Sequence, residues 1–259
     1  IKFTLIIACL FSILLWSIVR DKPNAPSTKL TKQPSLDFFP QLKIISKDRL
    51  VWLNSLYSGM VFGVISLFVA LWGVKFFQQI RHIPLLEATA LTNCVFIGCA
   101  AGCPVLGYLD AKTTLRKSIM WTFPLLGALL ISLILINPTL PKGVLIILLF
   151  LFGVSLSSYM LNFVIANQIA SDHNQGINMG FINMISVGTA PLLQPLIGFL
   201  LDLQNNTGSQ ENNVFTLSQY QSALWVIPVM LIIASIIGRH LPGSLNTAKH
   251  TPHSHQSED

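Results

Sequence analysis

Long apolar runs separated by polar segments dominate the chain: Phe3–Val19, Val51–Phe77, Ala88–Leu109, Ser118–Ile136, Val144–Ala166, Met179–Leu201 and Ser222–Gly238. A helix crosses about 30 Å of hydrocarbon with roughly 20 apolar residues. Each run comes close to that length, and the shorter ones extend at their polar ends. Lipid offers no hydrogen bonds, so every backbone amide must be satisfied inside the element. Such runs are helices unless they close a barrel. Barrel strands alternate over about ten residues, whereas these runs are longer and continuously apolar. The expected fold class is an all-α integral membrane protein with seven transmembrane helices, the last six closely spaced.

Composition agrees. Of the 259 residues 52% are hydrophobic and only 10% charged, against about 25% charged in a soluble domain. Mean hydropathy is +0.64. The net charge of +6 would suit nucleic acid, but the charges sit between the apolar runs, where they act as topology signals. Arg20, Lys22, Lys29, Lys32, Lys43, Lys47, Arg49, Lys112, Arg116, Lys117, Arg239 and Lys249 fall on one side, while Lys2, Lys75, Arg81 and Lys142 fall on the other. The positive-inside rule makes the richer side cytoplasmic. The C-terminus is then cytoplasmic and the chain is multi-pass.

The expected organisation is a first helix over 1–19, a basic cytoplasmic linker over 20–49, a six-helix transmembrane unit over 50–238 and a disordered cytoplasmic tail over 239–259. The linker carries Pro23, Pro26, Pro34 and Pro40, with a short surface helix expected near Gln41–Lys47. The sequence starts at Ile1 rather than Met, and its N-terminus is assigned outside. Both features read as a truncated chain lacking upstream helices. Val19 runs straight into Arg20-Asp21-Lys22 with no small-residue cleavage site, so the first run reads as a span rather than a signal peptide.

The stretch Gly98-x-x-x-Gly102-Cys103-Pro104-Val105-Leu106-Gly107-Tyr108-Leu109-Asp110-Ala111-Lys112, followed by Arg116-Lys117, resembles the cytoplasmic loop signature of the major facilitator superfamily (MFS). That signature has the form Gly-x-x-x-Asp-Arg-x-Gly-Arg-Arg. Here Ala111, Lys112 and Thr114 depart from the pattern and Asp110 comes one residue early. The departures favour a topological role over an ionic relay for Gly107, Asp110, Lys112, Arg116 and Lys117. The segments Ala70-Leu71-Trp72-Gly73-Val74, Gly180-Phe181-Ile182-Asn183-Met184, Gln194-Pro195-Leu196-Ile197-Gly198 and Leu201-Asp202 resemble a bacterial branch that includes phagosomal nutrient transporters. The resemblance implies that Phe3–Val19 is equivalent to helix 6 of that family. The other runs would be helices 7 to 12, an MFS-type half bundle in a bacterial inner membrane.

An ionisable residue in mid-membrane is a functional hypothesis by default, and this chain has none. Asp48, Glu87, Asp110, Asp172 and Asp202 all lie at run ends. Neutral polar residues do recur at helical spacing. Asn183 and Gln194 share a face, as do Ser155, Tyr159 and Asn162, while Asn54, Ser55, Tyr57 and Ser58 cluster near the start of the second run. The resemblance makes these the candidates for lining a substrate cavity. The alternative is that they hold helix to helix by hydrogen bonds. Pro191 and Pro195 should bend their helix, and Gly59/Gly63, Gly98/Gly102 and Gly176/Gly180 are spaced for close helix approach. Trp52 and Trp72 read as interfacial anchors.

No cofactor or metal is expected. Cys9, Cys94, Cys99 and Cys103 form no C-x-x-C pair and read as packing residues. His250, His253 and His255 lie in the polar tail without completing ligands, and the Asn205-Asn206-Thr207 sequon has no meaning in a bacterium. An enzyme would need acid–base or nucleophilic groups at depth, and these are missing. The expected function is a partial secondary transporter that moves a small polar solute by alternating access and is inactive without its N-terminal half. Its expected partners are the lipid bilayer, a small-molecule solute and the missing N-terminal half or a second copy, with no nucleic acid. The alternatives are a transport-inactive scaffold or accessory subunit, or a seven-helix receptor. A retinal protein is excluded because it needs a mid-membrane Lys.

Overall fold

A computed structural model describes residues 2–18, 38–170, 174–205 and 215–243. Most of the basic linker, Asp172, Asn206 and Thr207 of the sequon and the tail histidines lie outside these residues. The chain divides into two compact units, Ile1–Leu36 and Asp37–Asp259. The first contains α1 (Lys2–Ile18), an apolar helix of 17 residues. The second begins with α2 (Phe38–Ile45), three residues ahead of the short helix expected near Gln41–Lys47. Leu42 and Ile45 of α2 join Val51, Ala166, Phe181 and Ile182 in a small separate core.

Six helices follow that are long and apolar enough to cross a membrane. They are α3 (Arg49–Arg81), α4 (Leu85–Lys112), α5 (Arg116–Ile136), α6 (Lys142–Ile169), α7 (Gln175–Asn205) and α8 (Leu217–His240). Among the described residues the structure thus gives six such helices, not the seven expected. Each is longer than its apolar run because the flanking polar residues continue the helix. Asp48 caps α3 through its carboxylate, which accepts from the Leu50 amide at 2.7 Å.

Two helices change pitch inside the bundle. In α3, residues Ile65–Trp72 are π-helical, and the Gly73 amide donates to the Phe68 carbonyl five residues back. In α6, residues Ser157–Met160 form a 3-10 turn. The serines there explain it. Ser155, Ser157 and Ser158 each donate a hydroxyl to the carbonyl three residues earlier, which competes with the regular helix ladder.

The bundle is held by α4 against α6, α5 against α8 and α3 against both α7 and α8. Its core includes Tyr57, Phe68, Phe76, Phe77, Phe152 and Tyr220, with edge-to-face rings such as Phe68–Phe152 at 5.9 Å. Trp72 belongs to this core too. At 7% exposure it packs against Gly198 of α7, so it is not the interfacial anchor expected from its position near the end of a run. Trp52 is partly exposed, donates its indole N–H to the Ser46 carbonyl at 2.7 Å and stands edge-on to Phe181.

Candidate functional site

Helices α3, α6 and α7 bring three asparagines together. Asn54 donates to the main-chain carbonyl of Asn162 at 2.9 Å, Asn162 donates to that of Tyr159, and Asn178 donates to that of Ala166 at 2.7 Å. All three are fully or almost fully buried. Their amide groups therefore run as a ladder along one side of α6. Each amide oxygen is left without a hydrogen-bond partner among the described residues. One step outward in this interface Ser58 and Ser186 share a 2.5 Å hydrogen bond. Sequence reasoning missed Asn178 and Ser186. Only their burial opposite α6 and α3 marks them, and no local pattern carries that.

The residues grouped by sequence separate into two environments. Asn54, Tyr57, Ser58, Ser155, Tyr159 and Asn162 are buried within the six-helix unit. Tyr57 lies beside Ser158. Tyr159 stacks against Phe62 and Phe163. Ser155 faces α5, where a Cβ on Gly127 would stand 2.6 Å from its hydroxyl. The 3-10 turn lies between these neighbourhoods, with Ser155 toward α5 and Tyr159 and Asn162 toward α3. Asn54→Ala should cost about 1–2 kcal/mol, the range for one interhelical hydrogen bond in a membrane. A thermal melt in detergent checks it, with a lower melting temperature expected and no loss of the monodisperse peak.

Asn183 and Gln194 are placed differently, on the face of α7 that the unit leaves open. Asn183 is exposed and Gln194 half-buried. Gly176 and Gly180 lie on the same side, and a Cβ on either would meet nothing within 4 Å. Gly176, Gly180, Asn183, Val187, Ala190 and Gln194 follow one another at spacings of three and four, a continuous stripe along one helix face. Only 17% of the apolar window of α7 is buried, against 61% for α3. Pro191 and Pro195 lie inside α7, which remains one helix through both.

The loop motif is an ionic structure rather than a loose set of charges. The Arg116 guanidinium donates to both carboxylate oxygens of Asp110, at 2.6 and 2.8 Å, and to the Gln168 side chain at 2.5 Å. Both members of the pair are under 10% exposed. The contact adds a buried ion pair to the topological role read from the sequence. The five residues between Asp110 and Arg116 include the turn from α4 to α5, which folds the arginine back over the end of α4. Lys112 stacks on Tyr108 instead, with 4.5 Å to the ring centroid. Gly107 and Lys117 are exposed, and Lys117 packs beside Gly243.

No group of three or more His, Cys, Asp or Glu residues able to hold a metal ion occurs among the described residues. At the far end of the bundle from Asp110, Lys142 pairs with Glu87 at 2.5 Å.

Comparison with known proteins fits this geometry. The sequence model of the Major Facilitator Superfamily matches residues 3–195. A curated relative from Thermus thermophilus, described as "Probable nitrate/nitrite antiporter NarK1", is 31% identical over 135 residues, covering 51% of this chain and 28% of the relative. A solved bacterial homolog of the human lysosomal transporter Spinster, inward-facing and unoccupied, superposes with a TM-score of 0.52 at 14% identity. That match covers 89% of this chain and 56% of the other. The chain thus spans less than two thirds of either protein. On the family match over most of its length, the chain belongs to the Major Facilitator Superfamily of multi-pass membrane transporters.

Proposed function

We propose that the six-helix unit is the C-terminal half of a secondary transporter and that a small polar solute passes along the open face of α7. The carrying observation is that stripe itself: a membrane helix with Asn183 and Gln194 on a side the unit does not cover. An uncovered amide facing lipid is costly, so the stripe faces another protein surface and a water-filled path. In carriers built from repeats, substrate sites lie between the halves near the midplane. The buried asparagine ladder then keeps α3, α6 and α7 moving as one body. We assign α1 as a seventh span, the helix preceding this half. The end bearing Asp110 and Arg116 faces the cytoplasm, in a bacterial inner membrane, because it gathers the basic residues.

The curated relative's name suggests nitrate or nitrite. The membrane-embedded part of this half carries no Lys or Arg among the described residues, so an oxyanion would find its positive partner in the other half. Uptake by the two-half protein in reconstituted vesicles tests the path. Asn183→Ala and Gln194→Ala should each lower uptake about tenfold, the equivalent of ~1.4 kcal/mol, at unchanged expression. Wild-type uptake in both variants would remove the stripe from the path, and no uptake by the parent protein would favour a scaffold.

A further inference from the structure

Helices α5 and α8 line one cavity, and a second lies beyond their ends, walled by the end of α3, the α5–α6 connection and the start of α8. The first is a groove of about 540 Å³ whose walls include Leu125, Leu129, Ser132, Trp225, Val229 and Ile232. Its hydroxyls are spent on their own helix. Thr122 donates to the Ser118 carbonyl and Ser132 to the Ala128 carbonyl, both at 2.7 Å. The groove therefore presents hydrocarbon. Leu125, Leu129, Trp225, Val229 and Ile232 are all exposed, so its mouth opens on the outside of the unit.

The second cavity, also about 540 Å³, is lined by Arg81, His82, Thr139, Phe215 and Thr216 among others. It lies beyond the ends of the same two helices. Ser132 is four residues from the end of α5 at Ile136, about 6 Å along the axis. Arg81 donates to the Leu140 carbonyl and has no carboxylate partner among the described residues. The N-terminus of α8, with its positive dipole end, begins at Leu217 on the same wall. His82 takes a left-handed backbone conformation with φ 52°, which turns the chain at the end of α3.

We propose that this pair of cavities holds one anionic phospholipid of the leaflet opposite the Asp110–Arg116 end, an acyl chain in the α5–α8 groove and the phosphate in the Arg81 cavity. Charge complementarity selects the occupant. A dry groove takes a hydrocarbon chain, and a guanidinium without a carboxylate partner among the described residues, beyond the end of that groove, takes an anion attached to the chain. The proposal rests on the membrane character of the chain and not on the solute path along α7.

Native mass spectrometry of the purified protein tests it, with phosphatidylglycerol and phosphatidylcholine of matched chains in competition. Phosphatidylglycerol should be retained about fivefold over phosphatidylcholine at one lipid per protein, equivalent to ~1 kcal/mol for one basic residue at an anionic surface. Arg81→Gln should abolish the preference. Should that variant not fold, His82→Glu at an exposed position should abolish it instead. Leu129→Trp, which fills the groove, should lower retention of both lipids. Equal retention by the parent protein overturns the proposal. So does displacement of phosphatidylglycerol by millimolar inorganic phosphate, which would mark a site for a free anion.

Discussion

Gly153→Leu should remove the folded protein from the membrane fraction. At the crossing of α4 and α6 the two backbones touch. A Cβ on Gly153 would collide with the Val95 carbonyl, and one on Gly98 would collide with the Phe150 carbonyl. One turn along, a Cβ on Gly102 would meet the Ser157 side chain instead. The Val95 and Phe150 carbonyls are backbone and cannot swing aside, so the helices must separate. Without water inside the bilayer, helix association rests on close packing and interhelical hydrogen bonds, and separation forfeits the packing along the whole contact. Overpacking costs typically 1–3 kcal/mol, occasionally more, and a carbonyl as the obstacle puts this case at upward of about 3. Fluorescence-detected size exclusion reads the outcome, with the monomer peak lost for Gly153→Leu and Gly98→Leu. Gly143→Leu, where nothing lies within 4 Å, should keep it. A monodisperse Gly153→Leu protein would show that the crossing is looser than described.

The second large effect is expected at Arg116. Arg116→Ala strands the Asp110 carboxylate at 7% side-chain exposure and also releases Gln168. Breaking a buried pair by removing one partner costs about 3–5 kcal/mol, because the remaining charge is uncompensated. Asp110→Ala should cost a similar amount for the same reason. Arg116→Lys keeps the charge but loses the two-pronged geometry and should fall between. The double variant Asp110→Ala/Arg116→Ala should be less destabilised than the sum of the singles, with a coupling of roughly 2–3 kcal/mol between groups in direct contact. Melting temperatures of the four proteins give that coupling, and simple additivity would reduce the pair to two unrelated surface charges.

Hydropathy carried the bundle well because the bilayer imposes one simple rule on backbone polar groups, and the runs obey it. It placed α3 to α8 and shortened each, since Gln175 or Lys142 continues a helix at no cost once outside the hydrocarbon. It had no means of detecting the π segment at Ile65–Trp72 or the 3-10 turn at Ser157–Met160. These depend on which carbonyl an amide chooses and not on how apolar the residues are. Trp72 was misjudged for that reason, as its direction follows the local pitch. The Asp110–Arg116 pair was hidden by the departures at Ala111 and Thr114, while its third member, Gln168, is 52 residues away from Arg116. The polar face of α7 was legible in the spacing of Asn183 and Gln194. That Asn54 and Asn162 are sealed inside the unit was not, because polarity alone does not say which side of a helix a neighbour occupies.

The Ser58–Ser186 hydrogen bond spans 128 residues of sequence, and α3 finds its main neighbours in α7 and α8. During synthesis α3 is the first of the six to leave the ribosome and among the last to be completed as a packed element. At about 5–20 residues per second, Ser58 waits roughly 6–25 s before Ser186 exists. Asn54 waits for Asn162 of α6 and Ser58 for Ser186 of α7, while Ser55 bonds the Val51 carbonyl of its own helix. An insertion machinery that releases helices singly would expose Asn54 and Ser58 to lipid. The order of the chain therefore favours insertion in which α3 is retained beside the ribosome until α7 arrives.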